Sequence, residues 1–304
     1  MNIIGDIVII IGLIVFEIVN SVDNAIVNAY VLKTMSERWR KIFLFWGLLS
    51  AVFIVRGLLP FFVVWLSAPG IGFAAAFKAM FSNAPQVAEA IDAGRPLILM
   101  GAGVFLLLLY LHWLFLEEKT PLFASDRLIK PHYGIWFFAC VAVVLVVLLY
   151  LARENPILML SAAIGNAVFF ILYGFREQAE KQTEKLKENA SGMADLSKLL
   201  YLEVLDASFS FDGVLGAFAF TTVVPLILIG NGIGALVVRE LTIKSIDHVA
   251  QYRFLKNGAM TSIGFLGLFI IIESFGLELP EFMPTLITLS FVGVAFWESR
   301  KLLK

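Results

Sequence analysis

Two short stretches carry the chemistry of this chain. Residues 16–30 read FEIVNSVDNAIVNAY and residues 203–217 read EVLDASFSFDGVLGA. Each sets carboxylates, hydroxyls or amides into an apolar run, and both follow the order acid–x3–Ser–x–Asp–(Asn/Gly). The first copy uses Glu17, Ser21, Asp23 and Asn24; the second uses Asp206, Ser210, Asp212 and Gly213. Glu203 stands one turn earlier, so either Glu203 or Asp206 is the counterpart of Glu17. On an unbroken helix, spacings of three and four put Glu17, Asn20, Ser21, Asn24 and Asn28 on one stripe, and Glu203, Asp206 and Ser210 on another. Asp23 and Asp212 sit about 120° from those stripes at roughly 100° per residue. Either each Asp faces a different neighbour or the helix unwinds at the motif. Asn24 and Gly213 tolerate a left-handed backbone, so the two polar helices are expected to break there and free carbonyls as ligands.

Such groups need partners. An Asp at the centre of a membrane helix costs about 2.5–3.5 kcal/mol on insertion scales, against about −0.3 to −0.6 for a Leu or Ile. Five acids (Glu17, Asp23, Glu203, Asp206, Asp212) face two intramembrane arginines, Arg56 and Arg239, which would pair with carboxylates or act as gates. If all ionise, three negative charges remain, and protons, a cation or both must supply the difference. His112, His132 and His248 lie at span ends or in loops, and the one thiol, Cys140, is elsewhere, so neither a thiolate cluster nor an internal disulfide is possible. An oxygen-only site suits Mg²⁺, Ca²⁺ or Mn²⁺ over Zn²⁺ or Cu⁺. From the residues alone, the expected ligand is a hard divalent cation or a proton.

The elements that position these groups are membrane helices. Of 304 residues 60% are hydrophobic and 15% charged, where a soluble protein has roughly 45–50% and about 25%. This composition predicts one all-α polytopic membrane domain with nine spans near 3–32, 42–66, 97–116, 133–152, 157–175, 199–221, 226–243, 258–275 and 283–298. The start, MNIIGDIVII, lacks a basic leader region and reads as the first span. That span is too long to cross straight and is expected to tilt, protrude or break. Segments after spans 1, 3, 5, 7 and 9 hold 18 of the Lys and Arg residues and the opposite side holds Lys78, Arg95 and Arg153, which places the N-terminus outside and the C-terminus in the cytoplasm. The expected location is the cytoplasmic membrane. The charged stretch 176–198 reads as a solvated cytoplasmic loop with some helix, or a docking site for a cytoplasmic partner. Residues 67–95 are expected to hold an interfacial or re-entrant helix. No nucleic-acid partner is expected.

The motif similarity extends downstream: Gly47 precedes Arg56 by nine residues, and Gly230 precedes Arg239 by nine. With spans 1 and 6 crossing in opposite directions, the two copies form an inverted repeat, with spans 1–4 over 1–152, a linking span and loop over 153–198, and the second half over 199–304. Inverted repeats with polar helices at the midplane are a transporter architecture. Gly230, Gly232 and Gly234 read as a close-packing helix face.

The E-x3-S-x-D-N of span 1, the F-D-G of span 6 and the N-G-I-G-A-L-V-V-R of span 7 resemble the TerC family of integral membrane proteins, named for tellurium resistance and related to the LysE-type transporters. The SFSFDG spelling is similar to a divergent branch. The resemblance implies an inverted-repeat core and export of Mn²⁺. Its motif residues are Asp23, Asn24 and Asp212, with Glu17 and Asp206 as further ligands beside Glu203, Ser21, Asn28 and Ser210. The expectation is therefore a secondary transporter and not an enzyme, with carboxylate protonation resetting the carrier. The alternative is a metal-binding membrane sensor or scaffold without transport. An intramembrane aspartyl protease is disfavoured, because F-D-G lacks a preceding G-x-G.

Overall fold

The computed structural model describes residues 3–47, 56–67, 72–74, 77, 85–129, 134–189, 194–244, 251–277 and 279–303. These form α1 (Ile3–Asn20), α2 (Val22–Lys33), α3 (Glu37–Ile42), a π-helical stretch (Phe43–Gly47), α4 (Arg56–Ser67), α5 (Pro85–Leu116), α6 (Ala124–Leu128), α7 (Gly134–Leu151), α8 (Pro156–Asn189), α9 (Asp195–Ala217), α10 (Val224–Lys244), α11 (Leu255–Ser274) and α12 (Met283–Leu302). There is no strand among the described residues. Six helical segments are long and apolar enough to cross a membrane: Ile3–Asn20, Gly94–Leu116, Gly134–Leu151, Pro156–Phe175, Val224–Thr242 and Leu255–Ser274. The chain is thus an all-helical, multi-pass membrane protein.

Three expected spans are not among the six. Span 2 falls partly on residues 48–55, outside the described residues. Span 6 is helical as α9, but Lys198, Glu203, Asp206 and Asp212 lower its apolarity. Span 9 is helical as α12, which ends in the polar run Glu298–Lys301. Two other expectations are modified. The polar stretch after residue 175 continues α8 as helix to Asn189 before residues 190–193, which lie outside the description. Of the expected short helix in 67–95, residues 68–71, 75–76 and 78–84 are likewise outside it, and 85–94 begin α5.

The core forms around α5, whose spanning part is the most buried. Small residues let its neighbours approach to backbone contact, as van der Waals packing in a membrane requires. A methyl on Gly103 would lie 3.0 Å from the Gly267 carbonyl oxygen of α11, and one on Gly267 would lie 3.0 Å from that of Gly103. On the other side, Gly165 of α8 packs on the backbone of Gly101, and the Ser161 hydroxyl donates to the Leu97 carbonyl. Leu99, Phe105, Leu106, Ile263, Leu266 and Ile270 fill the space between.

The helices bearing the motifs pack on one another in definite directions. Phe16 meets Gly216, Glu17 meets Gly213, Asn28 meets Asp206, and Ser36 meets Asp195, so α1–α2 and α9 run antiparallel. Leu13 meets Gly230 and Glu17 meets Gly234, so α10 runs parallel to α1. Gly230 and Gly234 are the close-packing face; a Cβ on Gly232 would meet nothing within 4 Å.

A polar latch closes the end of this group. The Ser36 hydroxyl donates to Asp195 Oδ2 at 2.5 Å, and the Ser36 amide donates to the same oxygen at 3.2 Å. Lys198, buried, donates to the Thr34 carbonyl at 2.9 Å, while Arg40 donates to the carbonyls of Leu32 and Met35, so the end of α2 is capped by side chains. The Ser36 hydroxyl bond holds the Asp195 carboxyl below its ordinary value of 3.8. A depressed carboxylate stabilises the fold above its unfolded value, and that contribution is lost as pH falls through the folded value. Ser36→Ala removes the hydroxyl's part of it, while the Ser36 amide and Lys198 stay beside the carboxyl. The difference in melting temperature between wild type and Ser36→Ala is expected to be constant from pH 7 to about 5 and to narrow below about pH 4; a difference that widens toward acid would contradict this assignment.

Candidate functional site

The first motif lies where α1 gives way to α2. The break expected at Asn24 is absent, since Asn24 lies within α2; the irregularity in this stretch is one residue, Ser21, whose φ of −92° and ψ of −1° stay right-handed. Helical bonding continues across it: the Ser21 amide donates to the Glu17 carbonyl and the Ala25 amide to the Ser21 carbonyl. Instead of capping α2, the Ser21 hydroxyl donates to Glu17 Oε1 at 2.6 Å. The expected break in the second copy is absent. α9 is continuous from Asp195 to Ala217, and among the described residues the one positive-φ glycine is Gly276. Two local reasons apply. Ser210 returns its hydroxyl to the Asp206 carbonyl one turn back at 2.7 Å, which keeps that polar group inside the helix. Gly213 is small because Glu17 lies against it, not because the backbone turns there.

That contact is close. A Cβ on Gly213 would stand 2.8 Å from Glu17 Oε2 and 3.7 Å from Asn20 Nδ2. A Cβ on Gly234 of α10 would stand 2.6 Å from Glu17 Cβ and 3.1 Å from the Ile14 carbonyl oxygen. Glu17, with 0% of its surface exposed, is therefore held in a slot whose other walls are two glycines from α9 and α10. Asp212, the residue before Gly213 on α9, is also buried.

A second polar contact joins the motifs further along. Asn28 Nδ2 donates to Asp206 Oδ1 at 2.7 Å, with both residues buried. From Asp206 to Gly213 is seven residues, about 10 Å at ~1.5 Å per residue. The seam between α1–α2 and α9 thus holds two polar centres at different levels, one at Glu17, Ser21 and Gly213, the other at Asn28, Asp206 and Ser210, with the buried Asp212 next to Gly213 in sequence. This separation explains why no group of three His, Cys, Asp or Glu residues is close enough to hold a metal among the described residues. Asp23 and Asn24 lie on α2, by register between the two centres; their side chains, like that of Arg56, lie outside the described part of the structure. Glu203 sits half-buried, with its carboxylate against Gly47 of the π-helical stretch. Asp206 shares with Glu17 a serine four residues on, but Ser210 bonds the Asp206 carbonyl where Ser21 bonds the Glu17 carboxylate. Arg239 is half-buried on α10, and among the described residues its Nε has no hydrogen-bond partner.

One further buried polar residue, not among the expected ligands, lies at this site. Asn231 of α10 is 1% exposed, and its Nδ2 reaches the Gly213 carbonyl at 3.5 Å. The signal for it is nonetheless in the sequence: an amide inside an apolar span is as anomalous in LIGNGIG as in the first motif.

The family model described as "Protein of unknown function (DUF475)" matches residues 22–302. No curated protein and no solved structure matches the chain.

Proposed function

The chain belongs to that family of unknown function, and since the family description assigns no activity, we propose from the site itself that the protein is a secondary transporter exporting a hard divalent cation, Mn²⁺ foremost, from the cytoplasm. The observation that carries this reading is the meeting of the two acidic motifs. Asn28 of one bonds Asp206 of the other at 2.7 Å, and Glu17 of the first lies against Gly213 of the second. Buried carboxylates on facing membrane helices are retained at a cost in insertion and desolvation, and a moving cation is the partner that makes that cost useful.

The reading extends to the finer architecture. Nine spans with the N-terminus outside, two inverted halves and membership of a divergent TerC branch belong to the same proposal. It is supported by the antiparallel run of α1–α2 against α9 and by a reciprocal exchange of contacts. Gly47 of the first copy lies on Glu203 in α9, and Gly230 of the second lies on Leu13 in α1; the two glycines stand nine residues before Arg56 and Arg239. The two centres, about 10 Å apart, then form successive stations for the ion, with Asp23 and Asn24 between them by register. Carboxylates left by the ion take up protons and reset the carrier, while Arg56 and Arg239 hold carboxylates when the site empties.

The test is ion flux in proteoliposomes containing the full chain, with Mn²⁺, Ca²⁺ and Mg²⁺ compared. Saturable Mn²⁺ flux is expected, falling by about tenfold or more in Asp23→Asn and Asp212→Asn. Binding of Mn²⁺ without flux would replace the carrier with a sensor or scaffold, and neither binding nor flux would remove the metal from the reading.

A further inference from the structure

We infer that Asn231 is a cargo ligand: its amide oxygen, supplied by α10, completes the centre at Glu17 as a neutral donor for a hard divalent cation. The inference rests on the carrier reading above. Asn231 is almost wholly buried, and its one hydrogen bond among the described residues, at 3.5 Å, runs from Nδ2, the amide atom able to donate, to the Gly213 carbonyl. Oδ1 is thereby turned away from Gly213, and it has no donor among the described residues. Gly213 is also the residue against which Glu17 and Asn20 lie, so three side chains from α1 and α10 gather around one point of α9.

What can satisfy that oxygen is limited. The carboxylates of Glu17 and Asp212 are acceptors when ionised and offer it nothing. Arg239 is eight residues further along α10, about 12 Å at ~1.5 Å per residue, and its own Nε is without an acceptor among the described residues. Asn28, in the second centre, repeats the pattern, with Nδ2 bound to Asp206 and Oδ1 lacking a donor among the described residues. Each centre therefore pairs carboxylate with an open amide oxygen. Hard cations such as Mn²⁺ and Ca²⁺ accept that mixture, and a neutral oxygen keeps the charge of the centre near that of a divalent ion, so that the ion can also leave.

The experiment titrates the purified full chain with Mn²⁺ and reads the ion-dependent rise in melting temperature, beside the KM for Mn²⁺ flux in proteoliposomes. Asn231→Ala is expected to raise the half-saturating Mn²⁺ concentration and KM by about tenfold, with the melting temperature of the ion-free protein little changed. Asn231→Asp, which places a carboxylate where the amide was, is expected to lower the half-saturating concentration below that of the wild type and to slow maximal flux. If wild type responds to Mn²⁺ and Asn231→Ala responds at the same concentration, Asn231 is a packing residue and the inference falls while the carrier reading stands. If wild type shows no response to Mn²⁺, the carrier reading falls first and takes Asn231 with it.

Discussion

Gly165→Ala is expected to lower the melting temperature of the detergent-purified protein by roughly 5–10 °C, taking about 2–4 °C per kcal/mol for a chain of this order. A methyl at Gly165 would lie 3.0 Å from the Gly101 carbonyl carbon and 3.1 Å from its Cα, with the carbonyl oxygen nearer still. These are backbone atoms of α5 and cannot rotate aside, so α8 must move off. Overpacking costs about 1–3 kcal/mol, occasionally more, and this case belongs at the upper end. Lipid or water would fill the opened seam, but the helix-to-helix dispersion contacts that hold it would be lost. Gly174 on the same helix supplies the control. A methyl there meets nothing within 4 Å, and the better helix propensity of Ala, worth about 1 kcal/mol over Gly, should leave Gly174→Ala at or above wild type. Equal melting temperatures for the two variants would mean that the α5–α8 crossing is not as close as described.

That pair of glycines also marks how far a sequence can be read. Apolar length identifies six crossing helices because the bilayer sets a length that composition must meet. It cannot assign α9, where the residues that make the site are the same ones that spoil the hydropathy. The polar motifs are legible as a pair because Glu17, Ser21 and Asp23 share their spacing with Asp206, Ser210 and Asp212, and the structure brings parts of both into contact. Their conformation is not legible in the same way. Gly213 reads as a conformational glycine in sequence, yet its role is spatial, to admit Glu17 from another helix, and no local rule distinguishes those uses. The placement of Asn231, though not its oddity, is hidden for a related reason. Flanked by Gly230 and Gly232, it reads as part of a packing motif, and only the position of α10 beside α9 shows its amide at the Gly213 carbonyl.

The charge on the two paired acids is where function and stability should part. Glu17→Gln and Asp206→Asn preserve the shape of each side chain. In Glu17→Gln the amide oxygen can still accept from Ser21, and in Asp206→Asn the amide oxygen can still accept from Asn28, so the bonds at 2.6 Å and 2.7 Å have a substitute in each variant. What disappears is the capacity of each side chain to carry a negative charge inside the helix bundle. Burying such a charge costs several kcal/mol on order of magnitude, so neutral variants should melt at the wild-type temperature or above it. If the carboxylates carry the ion, the same variants should lose Mn²⁺ flux by about tenfold or more, since even partners that merely orient a ligand are worth about 10–100-fold in metal affinity. A structural role predicts the reverse pattern, with melting temperature falling and flux following only in proportion to the folded fraction. Measuring both quantities on the same preparations separates the two roles: flux within about twofold of wild type in both variants, far short of the loss expected for a ligand, would exclude Glu17 and Asp206 from the ion path. A stable protein without flux would mean that these acids are kept, against the bilayer's preference, for the ion they pass.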